Sequence, residues 1–514
     1  MAALAKRKAF SGMATSFCPP PHPGYPPRPE HTTEQYDRLY DNEFLRVSDK
    51  PLSTFSIDVD AASYANVRRF LDDDRLPPRD AVRIEELINY FTYDYPEPAG
   101  DDPFSITTEM AVCPWHPDHH LVHIGLQGRR IDTESLPPSN LVFLLDVSGS
   151  MHSPDKLPLL KSAMTMLVNN LRPVDNVAIV VYAGAAGLVL PTTPGDRRGR
   201  ILGAIERLSA GGSTAGGAGI RLAYATARDQ FIDGGNNRVI LATDGDFNVG
   251  VSSEGELVRM IEEEREHGVF LTVLGFGTGN YKDATMEKLA DKGNGNYAYI
   301  DNVLEARKVL VSEMGGTLVT IAKDVKIQVE FNPATVGEYR LIGYVNRRLE
   351  DRDFNDDTKD AGELGAGHTV TALYEVVPVG VETAVTGKVD ALKYQTSSVR
   401  RDAAVSGEVL TVKFRYKKPD GNSSMLITRT LRNRLERRPS TAFRFSAAVA
   451  GFGMLLRESR HAGKLGWRQV YEMARESRGE DRNGYRAELM RLTEKAAILA
   501  AGRRAGASAY PVGE

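Results

Sequence analysis

The stretch LVFLLDVSGSM, residues 141–151, decides how the rest of the chain is read. Its first five residues, 141–145, are all apolar, as in a parallel strand covered by helices on both faces. The run then ends in Asp146, Ser148 and Ser150, three oxygen-bearing side chains at alternate positions. In a doubly wound sheet, the carboxyl end of such a strand opens into the crevice where ligands bind.

Working outward, strand-like and helix-like segments alternate for about 170 residues. Strands are predicted at 177–183, 238–245, 269–277 and 296–301, with helices at 156–171 and 256–267, the latter stopped by Gly268. This alternation predicts an α/β fold with a doubly wound, mostly parallel sheet. Before it, residues 105–127 read as two strands; after it, DVKIQVEF (324–331), TVTALYEVVPV (369–379) and VLTVKFRYK (409–417) read as a β-rich module. Strands on both sides of the central unit predict that the two sets pair and that the α/β unit is inserted between them. The last eighty or so residues are predicted helical, with Tyr485, Leu489, Leu492, Ala496 and Leu499 on one apolar stripe that covers the protein's own core.

The amino-terminal side begins differently. Residues 19–29 hold seven prolines in eleven positions, so residues 1–50 are expected to be a disordered lead. A short strand and a helix follow, the helix capped by Asp60 and carrying Tyr64, Val67, Phe70 and Leu71 on one face. The expected division is 1–50 lead, 51–138 amino-terminal module, 139–318 α/β domain, 319–425 β-rich module and 426–514 helical region.

The bulk composition narrows the function. With 64 basic and 68 acidic residues and a net charge of −4, the chain has no global field to gather nucleic acid or an anionic membrane. Two cysteines, Cys18 and Cys113, allow one bridge at most. The longest apolar stretch, 445–456, has 12 residues and is too short to span about 30 Å of hydrocarbon.

Three polar clusters fall at predicted strand ends or in the connecting loops: Asp146, Ser148 and Ser150; Thr214 in GGSTAGGAG (211–219); and Asp244 in LATDGDFN (241–248). All five residues offer hard oxygen donors, which suit magnesium, with calcium or manganese as alternatives, and not zinc or copper. Only two of them are anionic. A divalent ion held there would keep water in its remaining positions, which a partner's carboxylate can displace.

The Asp-x-Ser-x-Ser motif, the later threonine in a glycine-rich loop and the TDG strand end together resemble the metal-ion-dependent adhesion site of von Willebrand factor type A domains. The resemblance implies that Asp146, Ser148, Ser150, Thr214 and Asp244 are direct or water-mediated metal ligands. Outside the central domain, PLSTFSIDVDAASYANVRRFL (51–71) and FNDDTKDAGELGAGHTVTALYE (354–375) resemble the flanking modules of bacterial type A domain proteins. It implies a non-enzymatic, metal-dependent protein-binding module whose partner offers an Asp or Glu. It also implies an extracytoplasmic or membrane-associated place, although no signal peptide or lipobox is readable before or around Cys18.

Rival readings fit less well. An assembly protein with a purely structural metal site remains an alternative. A phosphotransferase of the Asp-x-Asp kind would need a carboxylate where Ser148 stands, a Gly-x-Ser-x-Gly hydrolase would need glycine at Ala215, and no Gly-Lys-Ser/Thr follows the glycines. Asp58 and Asp60 are read as capping and turn residues. The acidic run 351–360 is read as a solvated loop without the glycine and terminal glutamate of a calcium loop. His116, His119 and His120 beside Cys113 lack the paired spacing of a zinc site.

Overall fold

The computed structural model describes residue 34 and residues 36–508, apart from 214–215, 246–253, 279–281, 314–318, 360, 382–398, 420 and 422. The amino-terminal part comprises β1 (Leu45–Arg46), β2 (Leu52–Ser56), α1 (Ala62–Asp72), α2 (Ile84–Asn89) and the hairpin β3 (Phe104–Cys113) and β4 (His116–Gly128). The lead expected to run to residue 50 is therefore structured over its described end: β1 pairs with a later strand, and the Asn42 amide donates to the carbonyls of Leu341 and Gly343. The rest of that lead, residues 1–33 and 35, lies outside the described residues.

Helix α1 differs from its expectation. Tyr64, Val67, Phe70 and Leu71 are buried, but so is nearly every other residue of the helix, because α1 lies between the central sheet and the carboxy-terminal helices. Ala61, not Asp60, takes the cap position, with no side-chain cap bond. The Glu86 carboxylate accepts from the Ser63 N–H at 2.7 Å instead, and Asp60 accepts from the Tyr297 N–H at 2.8 Å.

The central unit runs β5 (Ser139–Asp146), α3 (Leu157–Asn169), β6 (Asn176–Tyr182), β7 (Ala186–Pro194), α4 (Arg198–Glu206), α5 (Gly216–Asp229), β8 (Asn236–Thr243), α6 (Glu254–Glu266), β9 (Val269–Phe276), α7 (Asp283–Lys292), β10 (Tyr297–Ile300) and α8 (Val303–Arg307). Its sheet has the order β10-β9-β8-β5-β6-β7 and is parallel except for β7. Every residue of β5 and of β8 is buried, which explains the apolar runs 141–145 and 239–242 inside them. Two apolar clusters line the two faces of this sheet, one holding Phe143, Leu160 and Ile179, the other Leu144, Ile220 and Leu271. The chain passes from β5 outward through β6 and β7, then returns to place β8 on the other flank of β5. The order of strands reverses there, so the carboxyl ends of β5 and β8 border the crevice. β7 was not legible in advance: it carries Pro191 and Pro194, which only an edge position tolerates. The last helix of the unit, α8, runs on into a π-helical turn, Lys308–Ser312; residues 314–318 lie outside the described residues.

Beyond it come β11 (Thr320–Phe331), β12 (Val336–Ile342), β13 (Gly362–Gly365), β14 (Thr369–Pro378), α9 (Arg401–Val405), β15 (Glu408–Lys417), β16 (Ser424–Arg432), α10 (Thr441–Leu456), α11 (Trp467–Glu476) and α12 (Tyr485–Ser508). One antiparallel sheet has the order β1-β12-β14-β4-β3, with β14 against β4 in register from Thr369↔Gln127 to Val376↔His120. Strands from before and after the central unit thus share a sheet. In the second sheet, β11 pairs with β15 on one side and with β13 and then β2 on the other, while β16 forms the far edge. Ile124, Ile327, Tyr374 and Phe414 meet between these two sheets. The acidic run is less open than expected: Asp351–Asn355 is a 3-10 turn with Asp353 and Phe354 buried, and Thr54 donates to Asp351 at 2.8 Å.

The outer face of the first sheet is covered by α2 and α10–α12, where Leu121 and Leu373 pack with Phe445, Phe452, Leu489 and Leu492. Helix α10 is apolar nearly all round because it is the centre of this layer. Among the described residues, no helix is long and apolar enough to cross a membrane.

Candidate metal centre

Asp146 is the last residue of β5 and is fully buried. Its Oδ1 accepts from the Ser148 N–H at 2.8 Å, so the chain turns immediately around the carboxylate. Its Oδ2 is approached by the Thr243 hydroxyl at 3.4 Å, from the end of neighbouring β8. Burial pushes its carboxyl up to about 6; hydrogen bonds from Ser148 and Tyr182 oppose that rise, and the charge of Asp244 adds to it. The Asp244 charge at the end of the adjacent strand therefore adds to the cost of ionising Asp146, and a cation would relieve that cost.

Ser148 is buried and Ser150 exposed, with their hydroxyls 3.0 Å apart. Ser148 precedes a short 3-10 turn, Gly149–His152, which points the second hydroxyl outward. The glycine-rich loop is fastened to this segment by two backbone bonds, from the Gly211 N–H to Val147 O at 2.8 Å and from the Gly149 N–H to Gly212 O at 3.0 Å. Gly212 adopts φ +84°, which favours glycine. Thr214 follows two residues later and lies outside the described residues. Asp244 comes directly after β8, is 1% exposed, and is joined at 2.8 Å by the Lys156 ammonium.

The structure thus brings Asp146, Ser148, Ser150 and Asp244 to one end of the central sheet. Two carboxylates and two hydroxyls form a hard oxygen set of the kind that suits magnesium or calcium. Sequence reasoning missed Lys156, which follows Asp146 by ten residues at the start of α3 and carries no local signal of its destination.

The Escherichia coli (strain K12) protein YfbK is 45% identical over 471 residues, covering 90% of this chain and 81% of its own length. The chain belongs to the YfbK family. Its carboxy-terminal residues 316–499 match the family model described as "Uncharacterized protein YfbK, C-terminal". Residues 140–311 match "von Willebrand factor type A domain", and residues 30–123 match "von Willebrand factor". This YfbK-family chain is thus a bacterial type A domain protein with family-specific modules on both sides. The type A domain makes it a protein-interaction module, and type A domains often bind a divalent cation. The Synechocystis protein sll0103 is 28% identical over 185 residues, 36% of this chain and 43% of its own. Among solved structures, a von Willebrand factor type A protein from Catenulispora acidiphila is similar over 73% of this chain and 86% of its own, at 17% identity and a TM-score of 0.40. BatB from Bacteroides thetaiotaomicron is similar over 34% and 97%, at 24% identity and a TM-score of 0.30.

A second acidic group in the YfbK-family chain sits where its segments meet. Carboxylate oxygens of Asp58, Glu86 and Glu287, all buried, lie within 4.8 Å of one another. Arg347 reaches Asp58 at 3.2 Å, Asp60 at 3.0 Å, Glu287 at 3.1 Å and Asp291 at 2.5 Å, while Arg83 pairs with Glu86 and Asp283. Asp58 also accepts from the Asp60 N–H at 2.9 Å, the turn bond expected of it. The group therefore includes its own cations and forms an ionic seam. The histidines near Cys113 have structural partners: His119 lies 2.6 Å from Glu375 and stacks on His116.

Proposed function

We propose that the chain is a non-enzymatic, metal-dependent protein-binding module. In this reading a divalent cation, magnesium first, with calcium or manganese as alternatives, is held by Asp146, Ser148, Ser150, Thr214 and Asp244. A partner's Asp or Glu carboxylate completes its coordination. The observation that carries the reading is the pair of buried carboxylates, Asp146 and Asp244, beside two hydroxyls 3.0 Å apart at the crevice end of the sheet. Two carboxylates balance a divalent charge without exceeding it, the hydroxyls add no formal charge, and five side-chain ligands leave a coordination position open for an anionic guest. The division that goes with this reading is a type A domain over 139–318 inserted between modules at 51–138, 319–425 and 426–514.

The test is a pull-down from extract of the source bacterium with wild type and Asp146→Ala, each in magnesium and in EDTA, after both are shown to be folded. A partner retained only by wild type with magnesium supports the docking reading. Equal retention in all four conditions overturns it and favours a scaffold whose flanking modules bind.

A further inference from the structure

The ammonium of Lys156 reaches an oxygen of the candidate metal centre. Its Nζ is 2.8 Å from Asp244 Oδ2, its side chain is 10% exposed, and the Asp244 side chain is fully buried. The lysine stem is held in place at the end of β9, where Gly277, at φ +73°, leaves no room for a Cβ beside it. The Gly277 carbonyl is fixed in turn by the Tyr299 hydroxyl at 2.8 Å. A long, flexible side chain is thus threaded past a glycine to one buried carboxylate, which argues for a built position.

We propose that Lys156 is a tethered counter-cation that sets how tightly the metal centre holds a divalent ion. This rests on the reading that Asp146 and Asp244 are metal ligands. Before an ion arrives, Lys156 neutralises Asp244 and spares the fold a second uncompensated buried carboxylate. An incoming ion takes Asp244 from the ammonium, which is freed and meets the ion as a neighbouring like charge. Affinity is lowered as a result, and the loaded centre carries Lys156's positive charge in excess of the two aspartates. That excess increases the demand for an anionic group from the partner, so one residue weakens the ion alone and favours the ion plus carboxylate.

The test uses the full chain and Mn2+ followed by electron paramagnetic resonance, with wild type, Lys156→Met and Asp146→Ala compared at one pH. The expected result is loss of Mn2+ binding in Asp146→Ala and at least tenfold tighter binding in Lys156→Met. Unchanged or weaker binding in Lys156→Met, with binding lost in Asp146→Ala, overturns the inference and leaves the metal reading standing. No difference between wild type and Asp146→Ala removes both. Should Lys156→Met fail to fold, the wild-type protein decides. Acetic anhydride labelling of Lys156, read by mass spectrometry, is expected to rise at least threefold when Mn2+ is added, and an unchanged yield overturns the proposal.

Discussion

Glu375 shows how a single side chain can fasten the carboxy-terminal layers to the amino-terminal hairpin. It is buried on β14 and accepts from Trp115 Nε1 at 2.9 Å and from Arg340 at 2.8 Å, with His119 Nδ1 at 2.6 Å. Burial alone would raise its carboxyl, but His119, Arg340 and Trp115 outweigh burial and hold it down at about 2, against an ordinary 4.5. Because the folded value is depressed, the stabilisation is complete above the ordinary value and drains away as pH falls toward the folded one. Glu375→Gln is expected to lose about 2–3 kcal/mol at pH 7, the free energy linked to holding the carboxyl that far down. Urea melts at pH 7 and pH 3 test this: the gap between variant and wild type should narrow at the lower pH, and a gap independent of pH would exclude the charge as its cause. None of this was visible in the sequence, because Trp115, His119, Arg340 and Glu375 are brought together only by strand pairing. Asp146, Ser148 and Ser150 were visible, because a polar triplet ending an apolar strand declares its place through local spacing alone. Lys156 lay between these cases, adjacent in sequence but directed by Gly277, more than a hundred residues away.

At the scale of elements, the parallel strands were legible because burial on both faces leaves apolar runs, 141–145 in β5 and 239–242 in β8, and Thr272 alone brings a polar side chain into β9. Strands with one exposed face were harder. β16, with most of its side chains outward, and β7, with its prolines, carry weak patterns, and only their neighbours specify them. Helix α5 depends on a feature that pattern reading does not rank. A Cβ on Gly219 would come within 2.9 Å of Tyr182 Cβ and 3.2 Å of Leu144 Cδ1, so the helix rests directly on β5 and β6. In an exposed helix, Gly→Ala gains about 1 kcal/mol of propensity. Here overpacking, typically about 1–3 kcal/mol, opposes that gain and is expected to exceed it. Gly219→Ala should therefore lower stability by about 1–2 kcal/mol. A midpoint in urea that rises instead would show that α5 can lift off the sheet without cost.

At the scale of the molecule, the insertion of an α/β unit into a β sandwich leaves the unit's two chain connections as its covalent links to the rest, so side chains must supply the remaining coupling. Arg347 does this from the carboxy-terminal part. Its guanidinium contacts Asp58 and Asp60 of the amino-terminal segment and Glu287 and Asp291 of the central unit, and its side chain is 10% exposed. Arg68 makes a similar bridge from α1 to Asp301, Glu305 and Glu488, which ties α8 to the helical layer. Removing one member of such a network leaves buried like charges facing one another, a loss of about 3–5 kcal/mol. Arg347→Ala is therefore expected to destabilise by that order, and Arg347→Lys to recover little, since a single ammonium cannot serve four carboxylates in a planar array. Because the lost contacts join two separately cored units, the loss should fall on their coupling and leave each hydrophobic core intact. In differential scanning calorimetry the variant should show two separated transitions where the wild type shows one. A single transition at the wild-type temperature would mean that the apolar contacts of α1 with the central sheet suffice, and that the arginine seam contributes orientation without cohesion.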